Sequence, residues 1–198
     1  MNEQQAKWEG SFKAGRDYNP INQILLNLVL EKINNEKKIA IDLGCGTGEA
    51  VVKLAQHGMS VTGVDWSPEA LEKARVRATE ASVGDLTTFI EADLNDLMPA
   101  NLELGTADIV LCKLVVAFVH DKKVFLEEVK KLVKEEGVLV IQTPVLHESV
   151  TYLPEDKPNI AVKYADFKQL LSEVFESVDE FDHSYYGDKG DLATFIVK

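Results

Sequence analysis

Apolar and polar positions along this chain fall into blocks that switch between two periods. Ile39-Ala40-Ile41 is a short apolar run entered through lysines and closed by Asp42, the pattern of a buried strand. Ser60–Val64, Leu86–Glu91, Ala107–Cys112 and Val138–Gln142 repeat it. Helical spacing fills the intervals. One helix follows Gly48 and runs to about His57, with Gly58 as its stop. A second opens on Ser67-Pro68-Glu69, with cap, proline and early acid in favoured places, and runs to about Ala81. A third spans Asp121–Glu136 on the stripe Phe125, Val129, Leu132 and Val133, closed by Gly137. A fourth carries Phe167, Leu170, Leu171, Val174 and Phe175. Ahead of the first strand, Asn19-Pro20 opens a helix bearing Ile21, Ile24, Leu25, Leu28 and Val29, ended by Asn34-Asn35.

Five strand-and-helix alternations predict an α/β fold: one open, mostly parallel sheet covered by helices on both faces. The closing segments, about Ser177–Tyr185 and Leu192–Val197 around Gly187-Asp188-Lys189-Gly190, read as an antiparallel hairpin that brings the sheet to seven strands. Residues 143–163 hold two prolines and no clear period, which predicts a long surface loop or lid. Residues 1–19 are polar with scattered aromatics and are expected as an N-terminal lid or docking segment, with residues 20–198 as the domain.

Composition narrows the function classes. A chain of 198 residues with 45% hydrophobic content suits one well-buried domain. Its 21 Lys plus Arg face 33 Asp plus Glu, a net charge of −12, and such a field disfavours nucleic acid as a partner. With neither a signal peptide nor an apolar run of about 20 residues, no membrane partner is expected and a cytoplasmic location is the default. Nothing about Cys45 and Cys112 suggests a disulfide framework. The oligomeric state is not legible.

Chemistry concentrates at Asp42-Leu43-Gly44-Cys45-Gly46-Thr47-Gly48, a glycine loop between strand and helix. Glycines there admit φ > 0 and the close approach of a ligand. A dinucleotide fingerprint needs its third glycine one residue later, where Glu49 stands, and a phosphate-binding loop needs a following Gly-Lys-Ser/Thr. Acids on both sides of the loop suit a positively charged ligand instead.

This run resembles the first motif of class I S-adenosylmethionine-dependent methyltransferases. The likeness continues through Val61-Thr62-Gly63-Val64-Asp65 with Ser67-Pro68, Phe89-Ile90-Glu91-Ala92-Asp93-Leu94, Ala107-Asp108-Ile109-Val110-Leu111-Cys112 and Glu136-Gly137-Val138-Leu139-Val140-Ile141. It implies a Rossmann-like domain that uses S-adenosylmethionine and methylates a small-molecule substrate by in-line attack, catalysed mainly by proximity and orientation. The resemblance implies that Gly44, Cys45, Gly46, Thr47 and Gly48 receive the methionine part near Asp42, with Cys112 beside them. Asp65 would accept the ribose hydroxyls, Trp66 would stack on adenine, and Asp93 with Leu94 would meet the adenine edge. Each acid has a plainer reading as a helix cap, and Cys112 as a small apolar strand residue.

In similar enzymes a segment before the first helix folds over cofactor and substrate. Arg16 would then pair with the cofactor carboxylate and Tyr18 face the reaction centre, whereas Trp8 and Phe12 could simply anchor a terminus. Many relatives carry a His-His pair after the fourth strand, and the matching positions here are Ala117 and Phe118. His120 is a weak candidate base beside Asp121, a helix cap; His147 is weaker, and His57 and His183 read as surface residues. The Asp/Asn-Pro-Pro-aromatic motif of amino-methylating DNA enzymes is replaced by Cys112-Lys113-Leu114-Val115, Cys112 lacks the proline of cytosine-methylating enzymes, and no acid cluster predicts a metal. Alternatives are a protein or RNA methyltransferase and a non-catalytic S-adenosylmethionine-binding module; a nicotinamide dehydrogenase fails on glycine spacing.

Overall fold

The computed structural model describes residues 3–15, 21, 23–31, 38–96, 102–103, 105–147, 161–185 and 191–198. In chain order the elements are α1 (Glu3–Lys13), α2 (Gln23–Glu31), β1 (Ile39–Leu43), α3 (Glu49–Gln56), β2 (Ser60–Asp65), α4 (Pro68–Glu80), β3 (Thr87–Glu91), β4 (Ala107–Lys113), α5 (Lys122–Lys130), β5 (Val133–Leu146), β6 (Val162–Lys163), α6 (Tyr164–Val174), β7 (Val178–Tyr185) and β8 (Asp191–Val197). The strands join one sheet in the order β3-β2-β1-β4-β5-β8-β7. The first five are parallel, β8 runs antiparallel to β5 and to β7, and the two-residue β6 adds to the free end of β5. The mostly parallel sheet and its closing hairpin are therefore as the periodicity predicts, with β6 as an eighth, minor strand.

Alternation along the strands divides the core into two layers. Ile41, Leu43, Val110, Cys112, Leu139 and Ile141 pack with α5 and α6. Ala40, Val61, Ile109, Leu111, Val138 and Val140 pack with α2, α3 and α4. Asp42 continues the parity of Ala40, which aims it to the second layer. Ser67 caps α4 as read from the sequence, its hydroxyl accepting the Ala70 N–H at 3.1 Å. Among the described residues, no helix is long and apolar enough to cross a membrane.

Two expectations are corrected. The helix expected over Asp121–Glu136 ends at Lys130. Leu132 and Val133 extend its stripe by chance of spacing, but the Leu132 carbonyl accepts the Ala107 N–H and Val133 pairs with Ala107 across the sheet. Pairing with β4 thus wins over local period, and Gly137 lies inside β5 at a register shift rather than at a helix end. Residues 143–146, expected in a lid, continue β5, with Thr143, Pro144 and Val145 still in register with β8 after β4 has ended at Lys113. Pro144, which has no N–H to donate, falls in that overhang. Within the N-terminal lid or docking segment, residues 3–13 form the helix α1. The Asn19-Pro20 helix start, Asn34-Asn35, residues 148–160 and the Gly187–Gly190 turn lie outside the described residues.

Candidate active site

β1 ends at Leu43 and the chain turns through residues 44–48 into α3. The N–H groups of Gly44 and Cys45 both donate to the Val64 carbonyl, at 2.7 and 3.0 Å, tying the loop to the end of β2. Gly44 and Gly48 take φ of +74° and +76°. A Cβ on Gly44 would lie 2.1 Å from Val115 Cγ2, and one on Gly48 would lie 2.7 Å from Ala74 Cβ. The loop backbone is therefore wedged between the β4–α5 connection and α4, and only glycine fits both the space and the dihedrals.

Around it stand the three acids at the carboxyl ends of β1, β2 and β3. Asp42 is 3% exposed. Burial pushes its carboxyl up to about 7; the Lys113 ammonium pulls down, and the charges of Asp65 and Glu49 push further up. Asp65, 6% exposed, accepts the Ser67 N–H on Oδ1 at 2.9 Å and the Gly46 N–H on Oδ2 at 2.8 Å. Burial still raises its carboxyl above the ordinary range, against those bonds and with a contribution from Glu9. Since Ser67 caps α4, Asp65 is not needed as the cap. Asp93 is half-buried; Oδ1 accepts from the Asn95 backbone and side chain, a local turn, and Oδ2 accepts Gln5 Nε2 at 2.7 Å.

Glu49, the second acid flanking the loop, does not face the ligand side with a spare charge. Its carboxylate takes the Ile21 N–H at 2.7 Å and the Lys53 ammonium at 2.5 Å, fixing the lead-in to α2. Asp42 is left as the acid of the cleft. Thr47 is buried in the loop, while Trp66 and Leu94 are half-buried beside Asp65 and Asp93. Cys112 is fully buried in the α5/α6 layer with Val64 and Val116. Burial pushes both thiols, Cys45 and Cys112, up and away from thiolate chemistry.

The β4–α5 connection carries Leu114 at φ +62°, held by its N–H to the Gln142 carbonyl at 2.7 Å. Strain at such a residue is maintained by surrounding contacts, and here it presses Val115 onto Gly44. Phe118 meets Trp8 edge-on. His120 is exposed, its N–H on Asn95 Oδ1 at 2.8 Å, and Asp121 caps α5 through Val124 N–H at 3.0 Å. His147 lies at the end of β5 against the Tyr164 ring, 4.5 Å between centroids. Arg16 and Tyr18 fall outside the described residues.

The structure thus gathers Asp42, the glycine loop, Asp65, Trp66, Asp93 and Leu94 at one edge of the sheet. Sequence reasoning missed Lys113, which follows the fourth-strand motif, and the α1 residues Gln5 and Glu9. The signal for α1 was present: Gln5, Glu9 and Phe12 stand at i, i+4 and i+7, one helical face. Among the described residues no group of three or more His, Cys, Asp or Glu is arranged to hold a metal ion.

A parallel sheet with a glycine loop after β1 and acids ending β1, β2 and β3 defines a nucleoside-binding α/β domain. A family model described as a methyltransferase domain matches residues 34–185, and the chain belongs to this family, the class I S-adenosylmethionine-dependent methyltransferases. The ubiquinone biosynthesis O-methyltransferase of Vibrio campbellii is 36% identical over 146 residues, 71% of this chain and 59% of that protein. The Vibrio cholerae (El Tor Inaba) protein of the same name is 36% identical over 136 residues, 68% of this chain and 53% of that protein. The chain spans less than two thirds of the length of these relatives. In fold it resembles a SAM-dependent methyltransferase from Aquifex aeolicus, with a TM-score of 0.69 at 15% identity over 96% of this chain and 97% of that one.

Proposed function

We propose that this chain methylates a hydroxyl oxygen of a small molecule, with S-adenosylmethionine as the methyl donor. The observation that carries the reading is the placement of Asp42, Asp65 and Asp93 at the carboxyl ends of three adjacent strands, with the glycine loop following the first of them. The cradle fits the cofactor chemically. A buried carboxylate raised to about 7 in spite of the Lys113 ammonium is favourably met by a further ammonium group. An Asp65 carboxylate held by two backbone N–H groups keeps lone pairs for the two ribose hydroxyls. Asp93, at the next strand, is an acceptor for an amino group. When bound, the cofactor supplies an electrophilic methyl group on a cationic sulfur.

The protein's share is orientation and exclusion of water. The loop and acids would hold the donor over β1–β3, next to Lys113 and the 114–118 connection at the carboxyl end of β4. Holding two reactants in attack geometry removes about 7–11 kcal/mol of barrier in well-oriented systems. Oxygen as the accepting atom rests on the names of the Vibrio relatives, and the small acceptor on those names and on the net charge of −12.

Titration calorimetry with S-adenosylhomocysteine tests the cofactor half: wild type binds, and Asp65→Ala weakens binding by more than about 1.5 kcal/mol. Unchanged affinity would mean a different acid holds the ribose. For the acceptor half, product release is followed with phenols, carboxylates, thiols and amines. Turnover confined to thiols or amines would replace oxygen as the accepting atom, and binding without turnover on any acceptor would favour a non-catalytic module.

A further inference from the structure

Helix α1 lies across the carboxyl ends of β2 and β3, and its contacts fall on the groups that the proposed function gives to the cofactor. Gln5 Nε2 donates to Asp93 Oδ2 at 2.7 Å. Glu9 Oε2 accepts the Ser67 hydroxyl at 2.5 Å, two residues beyond Asp65. The Phe12 ring, 6% exposed, lies 3.7 Å from where a Cβ on Gly46 would stand. Lys73 of α4 donates to the Phe12 carbonyl, and Trp8 stacks on Phe12 at 6.2 Å while meeting Phe118 edge-on at 5.5 Å.

Each contact has a counterpart in cofactor chemistry. The Gln5 amide is an N–H₂ donor, the same group an exocyclic adenine amine would present to Asp93. Phe12 covers the loop backbone that the glycines leave bare. Glu9 places a carboxylate near Asp65, where a sugar hydroxyl would otherwise stand. We infer that α1 and the cofactor are alternative occupants of this cleft: the helix plugs it in the free protein and must swing away before the cofactor enters. This rests on the cofactor reading above, and it is the reverse of a lid that closes over bound cofactor, since such a lid would leave Asp93 and the loop to the ligand.

The plug is built to release. Its contacts on the cofactor groups include one amide–carboxylate bond, one hydroxyl–carboxylate bond and one ring contact. Gly10 sits in its middle with nothing within 4 Å of a Cβ position, so it weakens the helix without serving a close approach. Glu9 beside Asp65 adds like-charge repulsion, which also pushes the Asp65 carboxyl up.

Hydrogen exchange on the full chain separates the two readings. Saturating S-adenosylhomocysteine is expected to protect amides 42–48 while amides 5–13 exchange faster. Protection of both segments, or no change in α1 beside a protected loop, would overturn the plug. A second arm uses Gln5→Ala and Gln5→Glu, the latter facing Asp93 with a like charge. Both should tighten apparent affinity, by about fivefold for Gln5→Ala, because the competent open state becomes more populated. Unchanged or weaker binding in both variants would overturn the proposal while leaving the cofactor reading intact. No binding to any form would remove the cofactor reading and the plug with it.

Discussion

At the scale of single residues the site turns on how a buried acid is kept. Asp42 sits near the end of β1 with its carboxyl raised to about 7, chiefly by burial, so near neutrality it is half ionised. A group whose folded pKa exceeds its unfolded value contributes stability that is full below the unfolded pKa and is lost as pH rises through the folded one. Wild-type stability should therefore decline between about pH 4 and pH 7 by more than that of Asp42→Asn, which a series of denaturant melts will show. Ligand binding runs with the opposite sign. An ammonium group beside Asp42 favours the ionised form, so affinity for S-adenosylhomocysteine should rise by up to about tenfold from pH 6 to pH 8. In Asp42→Asn the affinity should be weaker and flat with pH. A wild-type affinity that falls over that range would show that Asp42 meets the ligand protonated.

Elements differ in how far their sequence alone declares them. β1, β2, α4 and the hairpin strands are bounded by their own chemistry: Asp42 and Asp65 near strand ends, Ser67-Pro68 at a helix start, and the Gly187-Asp188-Lys189-Gly190 run between β7 and β8. These are local signals, and the glycine motif with its following acids placed the candidate cofactor edge by the same route. β5 is not local. Its first residues fit the α5 stripe, and only the partner strands β4 and β8, distant in sequence, decide that Val133 onward is extended. The contacts of α1 were equally hidden, because Gln5 and Glu9 gain meaning only when Asp93 and Ser67 are brought beneath them. Asp108 shows a long-range tie of this kind at the opposite end of the sheet. Burial would raise its carboxyl, but the Ile39 N–H at 2.8 Å and the ammonium groups of Lys134 and Lys38, at 3.0 and 3.5 Å, outweigh that and hold it below the usual range. It joins the start of β1 to β4 and β5. Asp108→Ala should cost about 1–2 kcal/mol at pH 7, with Asp108→Asn intermediate because it keeps an acceptor for Ile39. The folded pKa being depressed, this stabilisation is present above the unfolded value near 4 and is lost as pH falls through the folded one. Melts of the three proteins at successive pH values below 4 check it; a gap that does not narrow as the pH is lowered would assign the effect to packing instead of charge.

For the whole molecule, charge and topology act on the same edge. The order β3-β2-β1-β4-β5-β8-β7 sets the acid-ended strands β1, β2 and β3 side by side, so their carboxylates add in one cleft of a chain that carries −12 overall. S-adenosylmethionine bears a net positive charge, and its demethylated product is a neutral zwitterion. The field therefore distinguishes donor from product before either touches a side chain, favouring arrival of the one without retaining the other. The distinction is electrostatic and long-ranged, so it must fade as the Debye length contracts from about 30 Å at 0.01 M salt to about 3 Å at 1 M. Stopped-flow association should be faster for S-adenosylmethionine than for S-adenosylhomocysteine at 0.01 M, with the two rates converging as salt rises. The opening of α1 enters both rates as the same factor and cancels from that ratio at ligand concentrations where the observed rates rise linearly with concentration. Equal rates at every ionic strength would show that the acids act only on contact, and a ratio insensitive to salt would place the discrimination in short-range fit around the sulfur.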